Sequence, residues 1–133
     1  MTTSHGFFVK LYFSKNNNTV NNSYFQKVYR VTEAIPFGKV TNYGAIADFL
    51  ALGSARMVGW ALNKCGHMTI PAHRVVNRKG ELSGRNQFPS PMMMQELLEQ
   101  EGLTIVDHKI QNFANHFWHP GEHLVQADYE DED

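Results

Sequence analysis

Two short amphipathic stretches lie almost back to back in this chain, and the length between them restricts how they can pack. In the first, Thr41 is positioned as an N-cap, and Tyr43, Ile46, Ala47 and Leu50 recur at helical spacing. Gly53 then punctuates and Ser54 caps. Met57, Val58, Ala61 and Leu62 form a second stripe that ends near Lys64. Two helices joined by about three residues, a glycine among them, fit a helix-turn-helix. Upstream, Phe25, Val28, Tyr29, Thr32 and Ile35 form a further stripe, capped by Ser23 and broken by Pro36-Phe37-Gly38. Such a motif binds DNA in some proteins and is only a packing unit in others, so alone it does not decide function.

The 133 residues are 42% hydrophobic, which suits one domain with an ordinary core. No uninterrupted apolar stretch approaches the roughly 20 residues that span a bilayer, so no membrane segment is expected. The run over residues 7–13 is interrupted by Lys10 and lacks a basic leader, so it does not read as a signal peptide. A single cysteine, Cys65, excludes an internal disulfide and a cysteine-built zinc site, and a cytoplasmic location is the simplest expectation. The net charge of -1 hides an uneven distribution. Residues 128–133 hold five acids and no base. Between Gln26 and Phe88 stand nine bases (Lys27, Arg30, Lys39, Arg56, Lys64, Arg74, Arg78, Lys79, Arg85) and three acids (Glu33, Asp48, Glu81). That stretch suits a phosphate-bearing partner if its charges share a face.

The asparagine-rich segment 14–22 reads as a linker, which gives an N-terminal arm over 1–22, a domain over 23–120 and a disordered acidic tail over 121–133. Ile70-Pro71-Ala72-His73-Arg74-Val75-Val76 is apolar and β-branched around a polar pair, so it can enter the core while carrying a site. Asn77-Arg78-Lys79-Gly80 reads as a turn. Ser90-Pro91 starts a helix through Met94, Leu97, Leu98 and Glu101, stopped by Gly102. Residues 104–110 alternate as one short strand, and the region after Gln111 reads as irregular and aromatic.

Candidate chemistry is sparse. His119 and His123 have the spacing of a helical metal pair, but Pro120-Gly121 between them argues against a helix, and no metal or cofactor is expected. Cys65 carries no local nucleophile motif and reads as a buried or incidental thiol. His73 and Glu101 are a candidate base and orienting carboxylate. Immediately before His73, where a nucleophile would stand, is Ala72, whose methyl group can neither attack nor transfer a proton.

These segments together resemble the DNA-binding domain of the O6-alkylguanine-DNA alkyltransferase family, strongly over residues 24–103 and more weakly out to Trp118-His119-Pro120. The family's helix entry looks like Val28-Tyr29 followed by Ile35-Pro36-Phe37-Gly38-Lys39-Val40-Thr41-Asn42-Tyr43-Gly44, and its recognition helix looks like Ser54-Ala55-Arg56-Met57-Val58-Gly59. The family's Pro-Cys-His-Arg-Val stands here as Pro71-Ala72-His73-Arg74-Val75, and Glu101-Gly102 matches the glutamate of its proton relay. Loss of the acceptor cysteine makes the chain similar to alkyltransferase-like proteins. Gly80-Glu81-Leu82-Ser83-Gly84-Arg85 resembles their binding loop.

The resemblance implies a mainly α fold with small β elements, a winged helix-turn-helix domain. It implies a monomeric, non-enzymatic sensor that flips O6-alkylguanine out of double-stranded DNA and passes the lesion to nucleotide excision repair proteins. It would work in the nucleoid of a bacterium or the nucleus of a eukaryote. Tyr43 would crowd the phosphate beside the lesion, and Arg56 would enter the vacated stack. Lys39 and Arg74 would approach phosphates. Pro71, Ala72, His73 and Arg85 would form the lesion pocket, with Arg85 over the flipped base. His73 and Glu101 would be a relay remnant. Two alternatives stay open: an alkyltransferase whose acceptor cysteine was mutated to alanine, and a helix-turn-helix transcription regulator that binds a particular sequence.

Overall fold

The first periodic stretch forms helix α1, Asn22–Ala34, in a computed structural model that describes residues 22–65 and 70–130. The arm expected over 1–22 therefore lies outside the described residues except for Asn22, and Ser23 falls inside α1 rather than before it. Val28, Tyr29, Val31 and Ile35 are buried along one face, and the Tyr29 hydroxyl donates to the Ala61 carbonyl at 2.6 Å. Pro36 cannot continue the ladder, so the chain turns through Gly38, whose φ of 83° suits a residue without a Cβ.

The next two helices are α2, Tyr43–Phe49, and α3, Ala55–Asn63. Asn42, not Thr41, caps α2: its Oδ1 accepts from the Ala45 N–H at 2.7 Å, while Thr41 is buried in a strand. The turn between the helices places its left-handed residue at Ala51 (φ 56°), two positions before the glycine that the sequence offered for it. Ala61 and Val58 of α3 are fully buried, and Leu62 is nearly so. Burying a valine- or leucine-sized side chain contributes about 1.5–3 kcal/mol, an upper estimate of what holds this face on α1 and α2.

Strand β1, Thr41–Asn42, pairs in parallel with β2, Val75–Val76, through Thr41↔Val75 and Asn42↔Val76. Helix α4, Met93–Gln100, buries Met94 and Leu98, and Gly102 (φ 95°) follows its end. Residues 104–110 form a hairpin rather than one strand. β3, Ile105–Val106, runs antiparallel to β4, Lys109–Ile110, around Asp107 and His108, both with positive φ. Positive φ at both central residues matches the right-handed twist of a two-residue hairpin, and aspartate tolerates it well. Glu81 bridges to Lys109, so residues 80–82 and the hairpin form the wing.

Two short helices follow, α5 (Phe113–His116) and α6 (Pro120–His123). Pro120 does not prevent the second, because it occupies the first turn, where no N–H partner is needed, and His119 caps it by accepting from Gly121 N–H. His123 stacks on Trp118 with ring centroids 5.3 Å apart. From residue 121, where the tail was expected, the chain continues through α6 into a 3-10 turn, Gln126–Tyr129, with Leu124 and Tyr129 half-buried and the other residues through 130 exposed. Tyr129 meets the Phe49 ring, Arg30 lies over Tyr129, and the Gln126 amide donates to the Phe49 carbonyl. These contacts fasten the segment at Gln126 and Tyr129, and residues 131–133 lie outside the described residues. No helix among the described residues is long and apolar enough to cross a membrane.

Candidate nucleic-acid interface

The parallel β1–β2 ladder fastens the 3-10 turn Ala72–Arg74 beside the start of α2, so residues about 30 positions apart in sequence share one cleft. Ala72 and Tyr43 line it together with Gly59 and Asn63 from α3. Gly84 and Phe88 close it from the loop after the wing, and Met94 of α4 also lines it. Its volume is about 20 Å³, room for roughly one water molecule and far less than a purine needs. The loop over 84–88 and Tyr43 close one side of it. Those two are in intimate contact. A Cβ on Gly84 would lie 2.8 Å from the Tyr43 hydroxyl oxygen. Burial raises the Tyr43 phenol above its ordinary value, against a smaller opposing effect of the Ser83 side chain.

Behind the cleft, Glu101 at the C-cap of α4 gathers three partners. Its Oε2 lies 2.7 Å from His73 Nε2. Arg74 donates to it from Nε and Nη2 at 2.9–3.1 Å, and the Gly38 N–H donates to Oε1 at 2.8 Å. Arg74 Nη1 also donates to the Ile35 carbonyl at 2.7 Å. Three of the five N–H groups of Arg74 are thus turned inward, to the carboxylate and to the end of α1. His73 and Glu101 do meet, but inside a structural brace that includes Arg74. Burial would raise the Glu101 carboxyl, but the bonds from Arg74, Gly38 and His73 outweigh it and hold the acid below its ordinary value. His73 is held below its ordinary value chiefly by burial and also by the Arg74 charge, against the pull of Glu101. A neutral imidazole that donates from Nε2 to the carboxylate satisfies this geometry.

Both shifts make the fold acid-sensitive. Between the folded and unfolded pKa of His73 the unfolded chain binds a proton that the native chain does not, so stability falls as pH drops below 6.5. The Glu101 contribution, present above 4.5, is lost as pH falls through its lower folded value. Urea unfolding is expected to show lower stability at pH 5 than at pH 7, with a smaller difference in His73→Gln. An equal pH dependence in the two proteins would refute the assignment to His73.

Arg56 lies exposed in the first turn of α3, where Ser54 makes no side-chain cap. Lys39 is half-buried, its ammonium 3.4 Å from the Asn115 carbonyl. Arg85 donates from Nη1 to the Leu82 carbonyl at 3.0 Å, and its neighbours Gly84 and Gln87 line the cleft in its place. Pro71 caps the 3-10 turn, and neither it nor His73 lines the cleft. Sequence reading missed Gly59, Asn63, Gln87, Phe88 and Met94. Gly59 carried a usable signal, since glycine inside a helix costs about 1 kcal/mol relative to alanine. A Cβ there would meet nothing within 4 Å. Cys65 is buried, with Sγ 3.2 Å from the Leu62 carbonyl and the thiol pushed up by burial to about 12, so it is no nucleophile at neutral pH. Among the described residues no group of three or more His, Cys, Asp or Glu side chains is arranged to hold a metal ion.

A winged helix-turn-helix whose second helix walls a closed cleft defines a class of DNA-binding domain, and the expected fold class holds. The family described as 6-O-methylguanine DNA methyltransferase, DNA binding domain, matches residues 23–103, and the chain belongs to it. Within the family it resembles alkyltransferase-like protein 1 of Schizosaccharomyces pombe, with 35% identity over 104 residues that cover 73% of this chain and 95% of the relative. The Escherichia coli DNA base-flipping protein is 36% identical over 85 residues, 62% of this chain and 64% of that protein. In structure the chain matches the S. pombe protein bound to damaged DNA containing O6-carboxymethylguanine, with a TM-score of 0.66 and 31% identity over 75% of this chain and 98% of that one. The Mycobacterium tuberculosis OGT protein in complex with DNA matches at a TM-score of 0.54, with 32% identity over 63% of this chain and 51% of its own.

Proposed function

We propose that this chain is a non-enzymatic sensor of O6-alkylguanine in duplex DNA that directs the lesion to nucleotide excision repair. The observation that carries the reading is Ala72 on the wall of the cleft, with the Glu101 brace intact behind it: a binding site kept in shape without an alkyl acceptor. The S. pombe relative bound to O6-carboxymethylguanine DNA and the base-flipping relative support the same reading.

Alkylation at O6 weakens guanine pairing, so extruding that base costs less than the few kcal/mol of a normal one. Tyr43 presses on the backbone beside the lesion, and the loop over 84–88 yields to admit the base. Arg56 fills the vacated stack, where its planar guanidinium stacks and hydrogen-bonds the orphaned cytosine. The uncapped amides that start α3, with Lys39, hold phosphates. Arg85 covers the flipped base from the wing side, and Pro71 shapes the turn that presents Ala72. The site of action is the compartment that holds the genome.

Incubation with O6-methylguanine duplex followed by nucleoside analysis is expected to return all of the methyl on DNA. Transfer of the methyl to protein would end the sensor reading. Because Ala72 presents only a methyl group, bulkier adducts gain apolar contact at about 0.8 kcal/mol per buried CH₂. O6-benzylguanine duplex is therefore expected to bind several-fold tighter than the O6-methylguanine duplex, a difference that Ala72→Leu erases. Equal or weaker binding of the benzyl adduct would sink this expectation.

A further inference from the structure

The exposed side of α3 carries more than Arg56. One helical turn on stands Trp60, 56% exposed, an unusual setting for the largest apolar side chain. Trp60 borders an open hollow of about 430 Å³ that it shares with Phe25, Asn63 and Lys64. Asn63 also lines the Ala72 cleft, so hollow and cleft are neighbours with one residue as their common wall. Helix α3 contains no acid, and basic residues stand near both its ends, at Arg56 and Lys64.

We propose that this hollow is a second nucleotide subsite, in which the Trp60 indole stacks on a base or sugar flanking the lesion. The proposal rests on the duplex-binding reading above. The chemistry around the hollow suits a nucleotide better than an apolar peptide. An aromatic face accepts the ring, an amide reads polar edges, and an ammonium meets the phosphate. Four residues along a helix rise about 6 Å, while stacked base pairs are about 3.4 Å apart, so Trp60 reaches one or two steps from the gap that Arg56 enters. Phe25 places the start of α1 in the interface as well.

The test is fluorescence anisotropy with plain and O6-methylguanine duplexes, using wild type, Trp60→Ala and Trp60→Phe. Trp60→Ala is expected to weaken both duplexes about tenfold, the usual size of a lost base–aromatic stack, while Trp60→Phe stays within about twofold of wild type. The chain's other tryptophan, Trp118, is 6% exposed, so DNA-induced change in tryptophan emission belongs to Trp60 and disappears in Trp60→Phe. An exposed position leaves folding intact, checked by thermal melts. Unchanged affinity of Trp60→Ala for both duplexes would overturn the subsite even where wild type prefers the lesion, and the sensor reading would stand. Equal wild-type affinity for both duplexes, with a tenfold loss in Trp60→Ala, would keep the subsite and reject the sensor. Self-association in sedimentation that Trp60→Ala abolishes, with DNA affinity untouched, would assign the hollow to a second copy and overturn the proposal.

Discussion

Replacing Glu101 by alanine is expected to cost about 3–5 kcal/mol of folding stability, the usual result of removing one partner of a buried ion pair. The side chain is 5% exposed and Arg74 16%, so the substitution leaves an arginine charge largely cut off from water. It also removes the acceptor for His73 and for the Gly38 amide. Those bonds join the end of α1, the entry to the helix-turn-helix, the Ala72 turn and the end of α4. Their loss should therefore lower the urea midpoint of the whole domain rather than fray one end. Glu101→Gln, which keeps an acceptor oxygen but no charge, is expected to fall between alanine and wild type. A loss under about 1 kcal/mol in Glu101→Ala would mean that the cluster is incidental.

Arg56→Ala should leave stability within about 0.5 kcal/mol, because the residue is exposed and away from the core. Its effect on DNA is expected to be large, a loss of about 10- to 100-fold in affinity for lesion duplex, since one stacking group and its hydrogen bonds disappear together. Arg56→Lys should recover little of this. A lysine keeps the charge but not the planar fork that stacks and pairs with a base. If lysine restored full affinity, Arg56 would be acting as a phosphate contact only, and the affinity lost in alanine would shrink as salt rises.

The helical core was legible because its signal is periodic. Val28 and Tyr29 of α1, Ile35 just past its end, and Val58, Ala61 and Leu62 of α3 are buried where their spacing put them. Single-residue choices were less legible. Thr41 and Asn42 are both good caps, and only the parallel pairing with Val75 decides that Thr41 enters a strand and Asn42 caps. The hairpin after Thr104 was hidden because its turn is Asp107-His108 rather than a glycine pair. The seating of Tyr129 depends on Arg30 and Phe49, contacts across about 80–100 residues that local composition does not encode.

At the site, the Ala72–His73–Arg74 turn and Glu101 were legible by motif, but the bond between Arg74 and Glu101 was not. A basic residue in a basic stretch carries no sign in sequence of three hydrogen bonds to a carboxylate 27 positions away. Gly84 and Phe88 line the cleft, and Trp60 stands outside it, with no pattern of their own. Their importance follows from which loop the β1–β2 ladder brings opposite α3.

The most direct test of the sensor reading is anisotropy at one fixed salt concentration, with two duplexes that differ only in guanine or O6-methylguanine at a single site. Tighter binding of the methylated duplex, with the methyl still on the DNA afterwards, is the result expected of a lesion sensor. Equal affinity for the two duplexes would contradict it and leave a DNA-binding domain that does not read alkylation.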